Sequence, residues 1–233
     1  MYFVALKPNI DHSRKGLPIF ISYRLMEEIN EKKPFDPIYK TDWLLYHPIK
    51  HGIPPKEEYK LPKKLIMICE LSKLVLDFFP LFTYRWLVSE SFLNFLVENE
   101  LLPENRVEVA VITELLSRRK MQPISEKKYY IIRWFRPFND LLDIEKTQTD
   151  IVKHSEGKGW SEHVYYKKIF FKDNVCPNLF FLHQPFYYDC FFVTQEIRNK
   201  MESKKFLGFD FYTLEEFMIK KEGIGFNDRN ISR

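Results

Sequence analysis

The chain has 233 residues, a net charge of +4, three cysteines and 17% aromatic residues. That length suits one large domain or two small packed ones and supports a core without disulfides. Three cysteines at irregular spacing (Cys69, Cys176 and Cys190) argue against a disulfide framework and against paired C-x-x-C zinc knuckles, and the basic excess is spread too thinly for a phosphate-dominated nucleic-acid surface.

From the N-terminus, residues 2–6 read as a strand, 8–18 as a loop and 22–32 as a helix. Ser22 is the expected cap of that helix, with Leu25 and Ile29 on one stripe and Pro34 and Pro37 as the stop. Prolines at 48, 54, 55 and 62 mark a surface connection. We expect residues 1–60 to be an N-terminal α/β extension packed on a core of residues 61–221. The opening residues lack a basic n-region before a long apolar stretch, and no apolar run reaches about 18 residues. The expectation is a cytoplasmic protein with no membrane partner.

Residues 65–69 form a compact apolar run that reads either as a strand or as the start of a buried helix, between which periodicity does not decide. At Ser89 a helix start is expected, with Phe92, Phe95 and Leu96 on its inner face and Pro103 beyond its end. Residues 107–112 and 129–135 read as strands, the second followed by a turn at Pro137, Asn139 and Asp140. Residues 179–182 and 190–193 are further strands. Thr194 then opens a helix with Ile197 and Met201 inside, and Gly208 is placed for a left-handed cap. Residues 87–102 and 192–207 align without a gap, which suggests an internal repeat of about 87–112 and 192–212. The expected fold is α+β, with mixed sheets, packed helices and two similar strand-helix-strand units. Residues 222–233 read as a loose tail.

Chemistry is sparse. Seven glycines supply no phosphate-cradling motif, and Gly157-Lys-Gly159 reads as a loop. His47 and His51 stand four apart, but Pro48 and Gly52 argue against a regular helix there. Cys190 has no nucleophile signature around it. Tyr129, Tyr130, Arg133, Trp134 and Arg136 interleave rings and charges as a base-stacking platform does, although strand alternation favours a buried face. Asp140, Asp143 and Glu145 gather acids among apolar residues. Turn capping is the first reading of them; a divalent-metal site or a protein contact are the others.

The helix start Trp86-Leu-Val-Ser-Glu90, the segment from Trp134-Phe-Arg-Pro-Phe-Asn-Asp140 to Asp143, and the unit from Phe192-Val-Thr to Gly208-Phe-Asp-Phe-Tyr212 resemble immunity proteins of bacterial polymorphic toxin systems. The resemblance is to the α+β group with immunity families eleven and forty-three, and it covers roughly residues 65–217. It implies a cytoplasmic antitoxin that binds one cognate toxin domain, with no cofactor, no metal and no catalytic residue. Asp140, Asp143 and Glu145 are the expected toxin contacts. A metal-dependent enzyme acting on nucleic acid through those carboxylates, and a non-catalytic adaptor or structural subunit, are the alternatives; oligomeric state stays open.

Overall fold

The computed structural model describes residues 1–7, 21–30, 32–33, 42–81, 84–153, 162–184 and 187–227. The expected loops at 8–18 and 157–159, the helix stop at Pro34 and Pro37, and residues 228–233 of the expected tail lie outside these. The chain divides into two compact units. One comprises residues 7–137 with 205–209, the other residues 1–6, 138–204 and 210–233. Strands and helices are both prominent in an α+β architecture, as expected. No helix among the described residues is long and apolar enough to cross a membrane.

The first unit is built on a six-stranded sheet. Its strands are β2 (Tyr23–Met26), β3 (Lys64–Cys69), β4 (Phe78–Leu81), β5 (Arg85–Ser89), β6 (Val107–Ser117) and β7 (Tyr129–Trp134), in the order β2-β3-β6-β7-β5-β4. Only β3 and β6 pair in parallel. Pro80, which has no ladder donor, sits on the edge strand β4. The helix expected at 22–32 is replaced by β2, which pairs antiparallel with β3 and buries Leu25 and Met26. A four-residue stretch has too little periodicity to oppose a ladder that satisfies its backbone.

Helix α3 (Glu90–Glu98) follows β5 directly. Ser89 caps it, its hydroxyl accepting from the Phe92 N–H at 3.3 Å, and Phe92, Phe95 and Leu96 are buried. These rings continue an aromatic core: Phe78 lies 5.4 Å from Trp86, Trp86 lies 5.1 Å from Trp134, and Phe92 lies 5.0 Å from Phe206. Each such burial contributes about 1.5–3 kcal/mol. Trp134 and Tyr129 are therefore core residues, and the Tyr129 hydroxyl donates to the Leu76 carbonyl at 2.7 Å. A base-stacking platform needs exposed rings, which these are not.

The returning segment 205–209 is stapled into this unit by Asp77. Its carboxylate accepts from the Ser89 hydroxyl at 2.7 Å and from the Leu207 N–H at 3.0 Å, and it pairs with Lys127 at 2.7 Å. Gly208 does not cap the preceding helix as expected. Lys205 takes the left-handed position (φ 54°), while Gly208 (φ 124°) lies against the Phe78 backbone.

A buried guanidinium fixes the short elements between β2 and β3. These are α1 (Asp42–Leu45), α2 (Pro48–His51) and a 3-10 turn at Glu57–Tyr59. Arg133, 2% exposed, donates from Nε to Glu108 Oε2 at 2.8 Å, from Nη1 to the Trp43 carbonyl at 2.8 Å and from Nη2 to the Tyr59 carbonyl at 2.6 Å. Glu108 is its direct cross-strand partner and also accepts from the Leu61 N–H at 3.2 Å. The Tyr46 ring lies 4.7 Å from the guanidinium, and burial pushes its phenol up to about 12.

In the same segment, His51 Nδ1 accepts from the His47 N–H at 2.9 Å and its ring stacks on Tyr59 at 4.4 Å. His47 shares a hydrogen bond with the Tyr84 hydroxyl, and burial first, then Lys50 and His51, lowers its pKa below 6.5. The neutral imidazole is the form that folds well, so its contribution is full above about pH 6.5 and is lost as pH falls toward the lowered folded value. Thermal unfolding between pH 7.5 and 5.5 is expected to show a smaller decline for His47→Gln than for the wild type; equal declines would assign the pH dependence elsewhere.

The second unit holds a four-stranded antiparallel sheet in the order β10-β11-β1-β12 and a separate hairpin, β8-β9. Its strands are β1 (Tyr2–Leu6), β8 (Gln148–Lys153), β9 (Glu162–Lys168), β10 (Leu179–Phe180), β11 (Cys190–Thr194) and β12 (Asp210–Thr213). Helix α4 (Gln195–Lys204) buries Ile197 and Met201, as its pattern predicts. Helix α5 (Leu214–Asn227) begins with a reciprocal cap. The Thr213 hydroxyl accepts from the Glu216 N–H at 3.1 Å, and Glu216 accepts from the Thr213 N–H at 2.7 Å.

The two units share an order of elements. In one, β4-β5-α3-β6 runs in sequence with β7 seated between β5 and β6; in the other, β10-β11-α4-β12 runs in sequence with β1 seated between β11 and β12. Ser89 and Thr194 stand at the strand-to-helix junctions. Glu100 and Lys205, aligned by the ungapped match, both have φ 54°.

Candidate protein-binding surface

The three acidic residues singled out in the sequence lie on two consecutive turns of the four-stranded unit, Asp140 on the first and Asp143 and Glu145 on the second. A 3-10 turn at Phe138–Leu141 is held by the Phe138 N–H donating to the Phe181 carbonyl at 2.9 Å. Asn139 exchanges hydrogen bonds with the His183 backbone, its Oδ1 accepting at 2.6 Å and its amide donating at 3.2 Å. Asp140 is exposed, and its carbonyl accepts from Lys172 at 3.2 Å.

Asp143 is a turn cap. One carboxylate oxygen accepts from the Lys146 N–H at 3.1 Å and the other pairs with the Lys146 ammonium at 3.0 Å, which holds its pKa below the usual carboxylate value. Its own N–H donates to the Phe170 carbonyl at 2.9 Å. Between Asp143 and the exposed Glu145, Ile144 is 78% exposed. The turn thus presents a branched four-carbon apolar side chain with carboxylates on either side in sequence.

The same clamp joins the turn to a groove. The Phe170 N–H donates to the Thr147 hydroxyl oxygen at 3.1 Å, so Phe170 is gripped from both backbone sides while its ring stays 41% exposed. That ring lines an open depression of about 540 Å³ together with Tyr2, Ile169, Leu214 and the stems of Lys167 and Lys168. Met1, Thr213 and Glu215 complete it. The depression lies where β1 begins, β9 ends and the capped start of α5 leaves β12. Burial pushes the Tyr2 phenol up to about 12, with Cys176 adding to the shift, so the hydroxyl stays neutral at physiological pH. Lys167 is tied to Asp150 at 2.8 Å. The arrangement offers apolar area, a neutral phenol and a few charges, the composition of a protein contact.

The remaining candidates are occupied structurally. His47 and His51 do form one helical turn, started by Pro48 and ended by Gly52 (φ 84°), but their hydrogen bonds serve backbone and Tyr84. Cys190 is fully buried, its thiol donates to the Tyr187 carbonyl at 3.3 Å, and burial pushes its pKa well up. Among the described residues, no group of three or more His, Cys, Asp or Glu side chains could hold a metal ion. The metal-enzyme reading required carboxylates convergent on a cavity, and Asp143 instead spends both oxygens on Lys146.

The family model described as Immunity protein 43 matches residues 9–220. The chain belongs to that immunity protein family. Its match takes in most of the first sixty residues, where the sequence reading offered no resemblance, and both structural units. No curated protein matches the chain. Membership fits the α+β fold and directs attention to surfaces that bind protein.

Proposed function

We propose that this member of the immunity protein 43 family is a cytoplasmic inhibitor that neutralises one cognate toxin domain by direct protein contact, without catalysis. The observation that supports a contact at the turn is the exposed Ile144, set between Asp140 and Glu145 and clamped to the half-exposed Phe170 of the groove. A rigid apolar anchor with a charged surround is the anatomy of an interface hot spot. Asp140 and Glu145 contact the toxin in this reading, while Asp143 holds the turn and contributes its remaining exposed edge.

The test is titration calorimetry of the toxin domain with wild type and with an Asp140→Lys, Glu145→Lys variant. Asp143 is kept, because reversing it would break the cap. Affinity is expected to fall about tenfold or more, with a slower association rate and an unchanged unfolding midpoint. Unchanged affinity in the folded variant would remove the turn from the interface.

A further inference from the structure

Three of the large aliphatic side chains that the six-stranded unit leaves in water stand on one short segment, at the end of α1, within α2 and just after Gly52. Leu45 is 70% exposed, Ile49 is 73% exposed and Ile53 is 47% exposed. This segment is also the one that the buried Arg133 holds, through the carbonyls of Trp43 and Tyr59. It is fastened again by the Tyr46 hydroxyl donating to the Gly52 carbonyl at 2.8 Å and by the Trp43 indole donating to Glu27 at 3.1 Å. A buried ion pair adds little net stability compared with a well-packed apolar pair. What it adds here is one conformation for a stretch of chain with little regular structure, and exposed apolar side chains on a fixed backbone lose less entropy on binding.

The charge along the segment is one-sided. Between residues 42 and 64 the ionic side chains are Lys50, Lys56, Lys60, Lys63 and Lys64 against Asp42, Glu57 and Glu58, an excess of two positive charges, and Lys60 already pairs with Glu57 at 2.6 Å. Oppositely charged faces associate faster and reject wrong partners. We infer that residues 42–64 are a second contact for the toxin, and that they take an apolar protein face edged with carboxylates. The inference rests on the immunity reading and adds to the acidic turn a surface of opposite charge.

The experiment uses the intact chain and the toxin domain whose toxicity the wild type suppresses. Leu45→Asp, Ile49→Asp is expected to bind that domain about thirtyfold or more weakly, chiefly through faster dissociation, with its unfolding midpoint unchanged. Lys50→Glu, Lys56→Glu is expected to bind more slowly and to lose most of the salt dependence of the wild type. Affinity within about threefold of wild type for both folded variants would overturn the inference while leaving the immunity function intact. Wild-type dimers that the Leu45→Asp, Ile49→Asp variant disperses, with toxin affinity kept, would assign the surface to self-association and equally overturn it. Suppression of no toxin by the wild type would bring down the functional reading itself.

Discussion

Arg133→Met is expected to destabilise the protein by about 3–5 kcal/mol, measured as the free energy of unfolding in denaturant. The substitution keeps an unbranched apolar stem but leaves the Glu108 carboxylate, 19% exposed, without its ion pair, and the carbonyls of Trp43 and Tyr59 without donors. Across the sheet Arg133 also stands opposite Arg85, another buried cation whose pKa burial lowers, so Glu108 balances a row with two guanidinium groups. Arg133→Lys recovers little, because one ammonium cannot reproduce a fork that reaches two carbonyls and a carboxylate. Hydrogen exchange supplies the local reading: amides of residues 42–59 are expected to lose protection before those of β6 and β7. Uniform loss across the unit would contradict the role of Arg133 in holding that segment.

The second large effect is expected at Gly208. A Cβ built there stands 2.0 Å from the Phe78 carbonyl oxygen, and the φ of 124° is one that side-chain-bearing residues rarely adopt. Neither can be relieved by rotating a side chain, since the obstacle is backbone. Gly208→Ala is expected to cost about 3 kcal/mol or more. The damage concentrates where Asp77 and Leu207 exchange hydrogen bonds and where Phe209 packs 5.7 Å from Phe78. Gly52 is the control: its φ is 84°, yet nothing lies within 4 Å of a Cβ built there, so Gly52→Ala is expected to cost only the milder backbone strain. Equal losses at the two positions would show that steric contact with Phe78 does not decide the outcome.

Local chemistry was the legible part of this fold. Ser89 announces α3 because a hydroxyl before an apolar stripe satisfies helix-end donors, and Phe92, Phe95 and Leu96 then fall inside. Ile197 and Met201 do the same in α4. The turn after Pro137 was readable in part for a similar reason, since Asp143 accepts from the nearby Lys146 N–H, whereas Asn139 bonds to the His183 backbone far along the chain. Long-range pairing was not. Nothing in residues 2–6 shows that they seat between β11 and β12, and nothing in 23–26 shows that β3 will claim them as a strand. The groove escaped for the same reason, because Tyr2, Ile169 and Leu214 meet only after three distant strand ends converge. Arg133 read as part of an aromatic and basic strand; its partner Glu108 is identified by cross-strand register, which no single-segment pattern carries. Gly208 was recognised as a glycine needing positive φ, but the reason is the Phe78 backbone rather than the helix end.

Neutralisation of a toxin by direct binding is the proposed role of this chain. The most direct measurement is growth of cells that express a candidate toxin domain encoded beside this gene, with and without this chain, followed by size-exclusion chromatography of the purified pair. Restored growth together with a stable complex of the two proteins is the predicted result. Growth that stays arrested beside abundant, folded chain, or growth restored with no complex formed, would contradict the claim.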